Sequence, residues 1–409
     1  MISLEWVKDY IDISDQDLEE LAVKITQSGI NVEKVITNHI NNLVIGEVLE
    51  CVAHPDSDHL HVCKVNVGNT TEQIVCGAPN VREGLKVIVA LPGAVLPGDF
   101  EIKKSKIRGV ESNGMLCALY ELGLEEKNDE TYAKGIEELG TDASVGEDPL
   151  KYLGLDDTLY ELDIHKHRNN DCYYHIGFAY EIGAILNRPV TLPDLSFKED
   201  QNNVENYFTL DVETEKCPFY LAKMVKNAKI GESPEFIKKR LLAAGMRPIN
   251  NVVDISNYVM LEFGQPLHFF DKNRLGNHIL VRDAKDKEEV ITLDGKRRIL
   301  SSNDIVITDG NRPVCIAGVM GGENTEVEQD TTDILIEAAI FDPVSIRYTA
   351  ANLDLRSEAS IRYGKGLSYE YTEMALKRAC HLLEKYADAT ILSGCIRHDV
   401  IDKTPKVVE

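Results

Sequence analysis

The chain contains no CxxC pair, and its nine cysteines, at 51, 63, 76, 117, 172, 217, 315, 380 and 395, are scattered and odd in number. That distribution argues against a disulfide framework or a paired-cysteine zinc module, and reduced thiols in a cytoplasmic protein are expected. Long apolar runs are missing too. The opening MISLEWVKDYIDIS has acidic residues where a signal peptide would be basic and then apolar, so no membrane partner is expected. Positive charge is in short supply: 44 Lys and Arg stand against 68 Asp and Glu, a net charge of −24. A general polyanion binder is thereby disfavoured, and a nucleic-acid partner requires basic residues gathered on one face. The glycine-rich IAGVMGG (316–322) lacks the Lys-Ser/Thr of a nucleoside-triphosphate loop. No internal repeat or low-complexity tract occurs.

What is present describes a globular chain of several parts. At 409 residues, 43% apolar and 27% charged, it is too long for one core, and about two to three domains are expected. Near the start, Ser14 with Asp17 three residues on predicts a helix cap. Leu18, Leu21, Ala22 and Ile25 make one apolar face, and Gly29 closes it. From Leu43 to about Leu122 short strands alternate with Gly and Pro turns, which predicts a small β-barrel or sandwich. Residues 158–190 read as a strand followed by a helix, and PDLSFKEDQNNVEN marks a boundary near residue 200. Beyond it the pattern is mixed. Ser233-Pro234 opens a helix with Phe236, Ile237, Leu241 and Leu242 on its apolar face, stopped by Gly245; five strands follow, then a helix around 369–387.

Four groups of residues could carry chemistry. IKKSKIRG (102–109) concentrates Lys103, Lys104, Lys106 and Arg108 in an acidic chain, as a phosphate-binding groove or a lysine-protected strand edge would. HPDSDHLHVC (54–63) offers His54, His59, His61 and Cys63 without a standard zinc spacing, and reads more simply as an Asx-type turn. In DIHKHRNNDCYYH (163–175), His165 and His167 would share a strand face, and Cys172 and His175 a helix face. Zinc would suit that set, with a solvated strand-to-helix junction as the plainer alternative. The fourth group is dispersed. Asp254-Ile255-Ser256-Asn257 precedes GQPLHFFD, where His268 sits in apolar company that usually marks a satisfied core histidine. The small residues Ala317 and Gly318 would let a ligand approach the backbone. ILIEAAIFDP places Glu337 inside an apolar strand, where a carboxylate is costly unless partnered. One His, one Asn, one Ser and one buried Glu, with no good nucleophile and no metal cage, suit binding a small polar-aromatic ligand and placing a water.

HPDSDHLHVCKVNVG, QIVCGAPNV, VALPGAVLPG, KIRGVESNGMLCALYELGL, NNVVDISNYVMLEFGQPLHFFD, IAGVMGG and LRSEASIR resemble the bacterial phenylalanyl-tRNA synthetase β subunit, nearly end to end. The resemblance implies a multidomain α+β fold. Its parts would be an oligonucleotide-binding-fold β-barrel at 40–150 that binds tRNA, a small N-terminal domain from 1–39 with 151–195, and a mixed α/β editing domain of B3/B4 type at 200–400. It also implies hydrolysis of tyrosine wrongly attached to tRNA(Phe). Ser256, Asn257 and His268 then match polar residues around the ester, Glu337 the acid that recognises the tyrosine hydroxyl, and Ala317, Gly318 and Ala359 small residues shaping the pocket. No metal or cofactor is expected here. ATP and Mg²⁺ would serve the complete enzyme, an α2β2 assembly whose α subunit activates phenylalanine.

The chain departs from the family pattern in places. His165-Lys166-His167-Arg168-Asn169-Asn170-Asp171 replaces a proline-containing segment, and Gly364-Lys365-Gly366-Leu367-Ser368 replaces Glu-Lys-Gly and an acid. The family's subunit continues for about as long again past Glu409, so a truncated chain is expected, with 401–409 opening a linker; a short paralogue is the alternative. These departures motivate a competing expectation: a non-catalytic tRNA-binding or assembly module with a vestigial pocket.

Overall fold

A computed structural model describes residues 1–37, 40–125, 127–165 and 168–404, without the side chains of Glu130 and Asn169. The chain divides into two compact units, Met1–Ile36 with Thr158–Glu409, and Thr37–Asp157. Among the described residues no helix is long and apolar enough to cross a membrane.

In the smaller unit, five antiparallel strands run in the order Met115–Cys117, Lys86–Ala90, Leu43–Ala53, His61–Asn66, Thr71–Cys76, with Glu138–Leu139 added beside Lys86–Ala90. The long Leu43–Ala53 strand bends at a bulge between Val48 and Glu50, which lets one strand serve two parts of a curved sheet. The outer strands approach each other without forming a ladder. Val75 N donates to Ser112 Oγ (3.0 Å) and Asn113 N to Gln73 O (2.8 Å). Alternate inward residues such as Val48, Cys63, Val65, Ile74, Val87 and Val89 fill the interior.

The larger unit begins with a three-stranded sheet in the order Ile2–Ser3, Thr158–Asp163, Asn31–Thr37. Its first long helix is Leu18–Ser28, capped by Asp17, whose carboxylate accepts from Glu20 N (3.0 Å), and closed by Gly29 at φ 111°. The cap therefore lies three residues beyond Ser14. Ser14 Oγ instead donates to Asp12 (2.6 Å), and the Asp17 carboxylate, at the chain's actual turn into the helix, takes the free N–H. Trp6, wholly buried, stacks between His175 (3.9 Å) and Tyr258 (4.5 Å).

Two sheets build the rest. One runs Glu199–Asn203, Thr390–Ser393, Phe219–Lys226, Ile334–Ile340, His268–Asp271, and the other runs Thr209–Val212, His278–Asp283, Ile305–Thr308, Pro313–Ile316, Met320–Gly321. Ile334–Ile340 is buried at every residue, as its near-continuous apolar sequence requires of a central strand. Asn251–Phe263 and Tyr369–Tyr386 pack together as helices, Asn250 capping the first by accepting from Val252 N and Val253 N. Their contact encloses Glu262, which Arg378 Nε satisfies at 2.9 Å and the Tyr10 hydroxyl at 2.6 Å. The expected helix after Ser233 is Glu235–Ala243, but Leu242 is half exposed, and Ser233 Oγ is engaged by Asp254 (2.5 Å) rather than by the helix end.

Candidate functional site

Strand register creates the site. Ile334–Ile340 runs antiparallel to His268–Asp271 with Glu337 directly opposite His268, so the two side chains leave the same face of the sheet. The helix Asn251–Phe263 contributes Ser256, Asn257 and Met260 one turn apart. The hairpin between Pro313–Ile316 and Met320–Gly321 contributes Gly318, and the first turn of Glu358–Tyr363 contributes Ala359. Together they enclose a cavity of about 230 Å³. Ser256, Asn257, His268, Glu337, Gly318 and Ala359 all line it. Ala317 does not: it is 1% exposed, and its amide donates to Ile305 O in the core of the second sheet. The next residue, Gly318 at φ 67°, turns the chain so that it, and not Ala317, meets the cavity.

The polar atoms in this cavity are unusually free. His268 Nε2 and Glu337 Oε2 are both buried without a hydrogen-bond partner. A buried carboxylate so placed costs several kcal/mol, and the group responds by holding its proton: burial pushes Glu337 up to about 8, against a smaller opposing influence of Tyr220. The Tyr220 hydroxyl is itself buried without a partner at hydrogen-bonding geometry, so it relieves the carboxyl only weakly. Burial lowers His268 to about 4, leaving it neutral near pH 7. The imidazole edge rests on Phe270 at 4.3 Å. It also lies against Gly321, where an added Cβ would come 2.3 Å from His268 Cε1. Gly321→Ala is therefore expected to displace the ring and cost about 1–3 kcal/mol of stability, measured by chemical denaturation; an unchanged midpoint would show that the ring is not held there.

Ser256 is no nucleophile in this arrangement. Its hydroxyl donates to Val253 O at 2.8 Å along its own helix, and among the described residues no base is hydrogen-bonded to it. Two contributors escaped the sequence reading. Cys315 lines the cavity with its thiol pushed far above the ordinary range by burial and by Glu337. Ser357 caps the Glu358–Tyr363 helix and donates from Oγ to Val319 O at 2.6 Å, tying that helix to the hairpin. The Ser-x-x-Ser spacing of Ser357 and Ser360 was the available signal.

The other candidate groups resolve differently. Lys103, Lys104, Lys106 and Arg108 are exposed around a hairpin of Ser105–Ile107 and Val110–Ser112. Lys103 pairs with Glu101 at 2.7 Å, and Arg108 donates to Asp56 O at 2.8 Å. His54 organises the expected turn itself, its Nδ1 accepting from Asp56 N (3.1 Å) and its Nε2 facing Ile107 O (3.1 Å). The supposed Asx turn is thus a histidine turn. The zinc reading of the 163–175 segment fails at His175. Its Nε2 accepts from Ser3 N (3.1 Å) and its Nδ1 meets Leu261 O (2.9 Å), leaving no lone pair for a metal. Cys172 is buried beside Arg168, and His167 with Lys166 lies outside the described residues. Among the described residues no group of three or more His, Cys, Asp and Glu could hold a metal ion.

Comparison with known proteins fits both units. The family model "B3/4 domain" matches residues 216–388, and "Putative tRNA binding domain" matches 43–142. The phenylalanine–tRNA ligase beta subunit of Geobacillus kaustophilus is 48% identical over 406 residues, 98% of this chain and 50% of that protein. The chain belongs to the bacterial phenylalanine–tRNA ligase beta subunits. The Bacillus cereus (strain ZK / E33L) subunit is 46% identical over 413 residues, covering 100% of this chain and 51% of that protein. The Staphylococcus saprophyticus subunit is 47% identical over 399 residues, 96% of this chain and 50% of its own length. The chain spans about half the length of the curated relatives it matches.

Proposed function

We propose that this chain carries the tRNA-binding and editing parts of a phenylalanine–tRNA ligase beta subunit, and that its cavity hydrolyses tyrosine wrongly esterified to tRNA(Phe). On this reading 40–150 is an oligonucleotide-binding fold, 1–39 with 151–195 a supporting domain, and 200–400 the editing domain. The observation that supports it is the pair of unpartnered buried atoms, Glu337 Oε2 and His268 Nε2, on one face of one cavity. A phenol hydroxyl satisfies the first, and a water beside the ester the second.

Tyrosine and phenylalanine differ by one hydroxyl. An apolar synthetic pocket rejects that added group by only about 10²-fold, whereas a site that must hydrogen-bond it rejects the analogue lacking it far more strongly. A tyrosyl ester is already activated, so hydrolysis needs a placed water and donors for the developing oxyanion more than a protein nucleophile. Water adds to the carbonyl carbon, the ribose oxygen leaves with a proton, and free tyrosine and intact tRNA result. His268, neutral at the working pH, serves to orient that water, and Asn257 can donate to the ester oxygen. ATP and Mg²⁺ belong on this reading to amino-acid activation in the α subunit of an α2β2 enzyme, since the cavity offers no phosphate loop.

Deacylation of tyrosyl-tRNA(Phe) by this chain tests the reading. Turnover is expected, and His268→Ala should lower it by about 10²-fold. Tight tRNA binding with no turnover, in the chain alone and with the α subunit and remaining beta-subunit domains supplied, would favour the non-catalytic tRNA-binding module instead.

A further inference from the structure

A second cavity lies against the other side of the helix Glu358–Tyr363. It encloses about 450 Å³ and is walled by Arg347, Arg356, Lys365, Ser360 and Ile361, with Asp354 also lining it. Ala359 and Ser360, one residue apart and so about 3.8 Å between Cα atoms, line the first and second cavities respectively. In a chain of net charge −24, this wall is a local reversal of sign. Among the described residues none of Arg347, Arg356 and Lys365 forms an ion pair. Arg347 donates only to the carbonyl of Gly364, and Lys365 Nζ stands 4.0 Å over the Tyr173 ring. Lys365 also feels its neighbours: burial, then Arg362 and Arg356, lower its ammonium below the ordinary range against a smaller opposing influence of Glu358. The position is prepared for these cations. A Cβ on Gly364 would come 2.9 Å from Arg347 Cγ, so a glycine at 364 makes room for the arginine stem.

We infer that this cavity is a phosphate subsite, and that its occupant is the phosphodiester backbone of the single-stranded RNA end whose terminal ester enters the first cavity. The inference rests on the editing reading for the identity of the strand. Two guanidiniums and an ammonium without acidic partners are the donors that phosphate oxygens require, and Arg can engage them in bidentate fashion. Contacts of this kind position a strand without reading its bases, which is what a site acting on one particular ester needs from the nucleotides before it. The neighbouring cavity, whose lining includes no Lys or Arg, supplies chemistry but little affinity for a polyanion. The basic wall supplies the affinity.

The test titrates the chain with a fluorescent single-stranded RNA trinucleotide at several salt concentrations, and separately with inorganic phosphate. Hydrolysis of tyrosyl-tRNA is measured alongside that of phosphate-free tyrosyl-adenosine. Log K should fall with log salt by about 0.7 per phosphate neutralised. Arg347→Ala and the exposed Arg356→Ala should each reduce that slope by about 0.7, and Arg356→Glu by more. Their losses on tyrosyl-tRNA should exceed those on tyrosyl-adenosine by at least about tenfold. An unchanged slope in folded Arg356→Ala and Arg356→Glu overturns the subsite, whether or not hydrolysis occurs. Inorganic phosphate binding as tightly as the trinucleotide would overturn the strand assignment in favour of a free-ion site. Failure of the wild-type protein on both esters, alone and with the α subunit and remaining beta-subunit domains supplied, with the slope changes intact, would instead remove the editing reading and leave the phosphate subsite standing.

Discussion

Glu337→Ala is expected to bring hydrolysis of tyrosyl- and phenylalanyl-tRNA(Phe) to within about tenfold of each other, from a starting preference for the tyrosyl ester of at least about 10²-fold. The argument is one of unmet hydrogen bonds rather than shape. Glu337 is 3% exposed and its Oε2 has no partner. A phenylalanyl ring entering the cavity would seal that carboxyl from the last water it could reach, at a cost of about 1–3 kcal/mol, more if it is charged. A tyrosyl ring brings the missing partner. With alanine at 337 nothing is left unpaired by phenylalanine, so the preference collapses while the water-placing side of the cavity persists. Glu337→Gln should behave differently. The carboxyl holds its proton up to about pH 8, so near neutrality it presents one donor and one acceptor, and the amide reproduces both. Much of the preference should survive in Gln and little in Ala. Parallel single-turnover deacylation of the two esters reads the ratio. Equal preference in wild type and Glu337→Ala would mean that another group recognises the hydroxyl.

Much of this arrangement was legible in the sequence because it follows from strand chemistry. A Glu inside ILIEAAI announces either a partner or a ligand, and the strand period puts it on a definite face. What the sequence could not supply was register: that Glu337 faces His268 is a property of pairing between residues 69 positions apart in the order of the chain. Direction was equally hidden at the small-residue loop. Ala317 and Gly318 are adjacent and alike in size, yet one is core and the other lines the cavity, a difference made by a positive φ at residue 318. His175 misled in the opposite sense. Its sequence neighbourhood offered a set of metal-ligand types, but the ring is consumed by Ser3 N and Leu261 O, contributed from 172 and 86 residues away. Short-range features were read more reliably, though the helix cap moved from Ser14 to Asp17 because Ser14 is held by Asp12 before the chain turns into the helix. Of the basic wall, Arg356 and Lys365 stand together in LRSEASIRYGKG, but Arg347 joins them only through the fold.

The unpartnered carboxyl also predicts how stability responds to pH, with opposing signs at the two ends. Glu337 titrates near 8 in the folded chain against about 4.5 when exposed. Between those values the folded state holds a proton that the unfolded state releases, so stability falls as pH rises through that window. His268 and His175, lowered by burial to about 4 and about 3, act in reverse. They are neutral when folded, the unfolded chain gains protons below about 6.5, and stability is lost as pH falls from there. For these three groups together the histidines outweigh the carboxyl below about pH 6.5, and above it only the carboxyl acts, so their joint contribution peaks near that pH. From about 6.5 to 8 the carboxyl alone should remove about 2 kcal/mol, one and a half pH units at about 1.4 kcal/mol each. Trp6 is the only tryptophan in the chain and is buried in the same compact unit as all three groups, so its fluorescence in a urea titration reports the unit in question. Wild type should lose about 2 kcal/mol more than Glu337→Gln between pH 6.5 and 8.5, while the two proteins should respond alike below pH 4. Parallel curves across the alkaline limb would mean that Glu337 is already ionised at pH 6.5, and that the buried carboxyl has a partner which the geometry does not reveal.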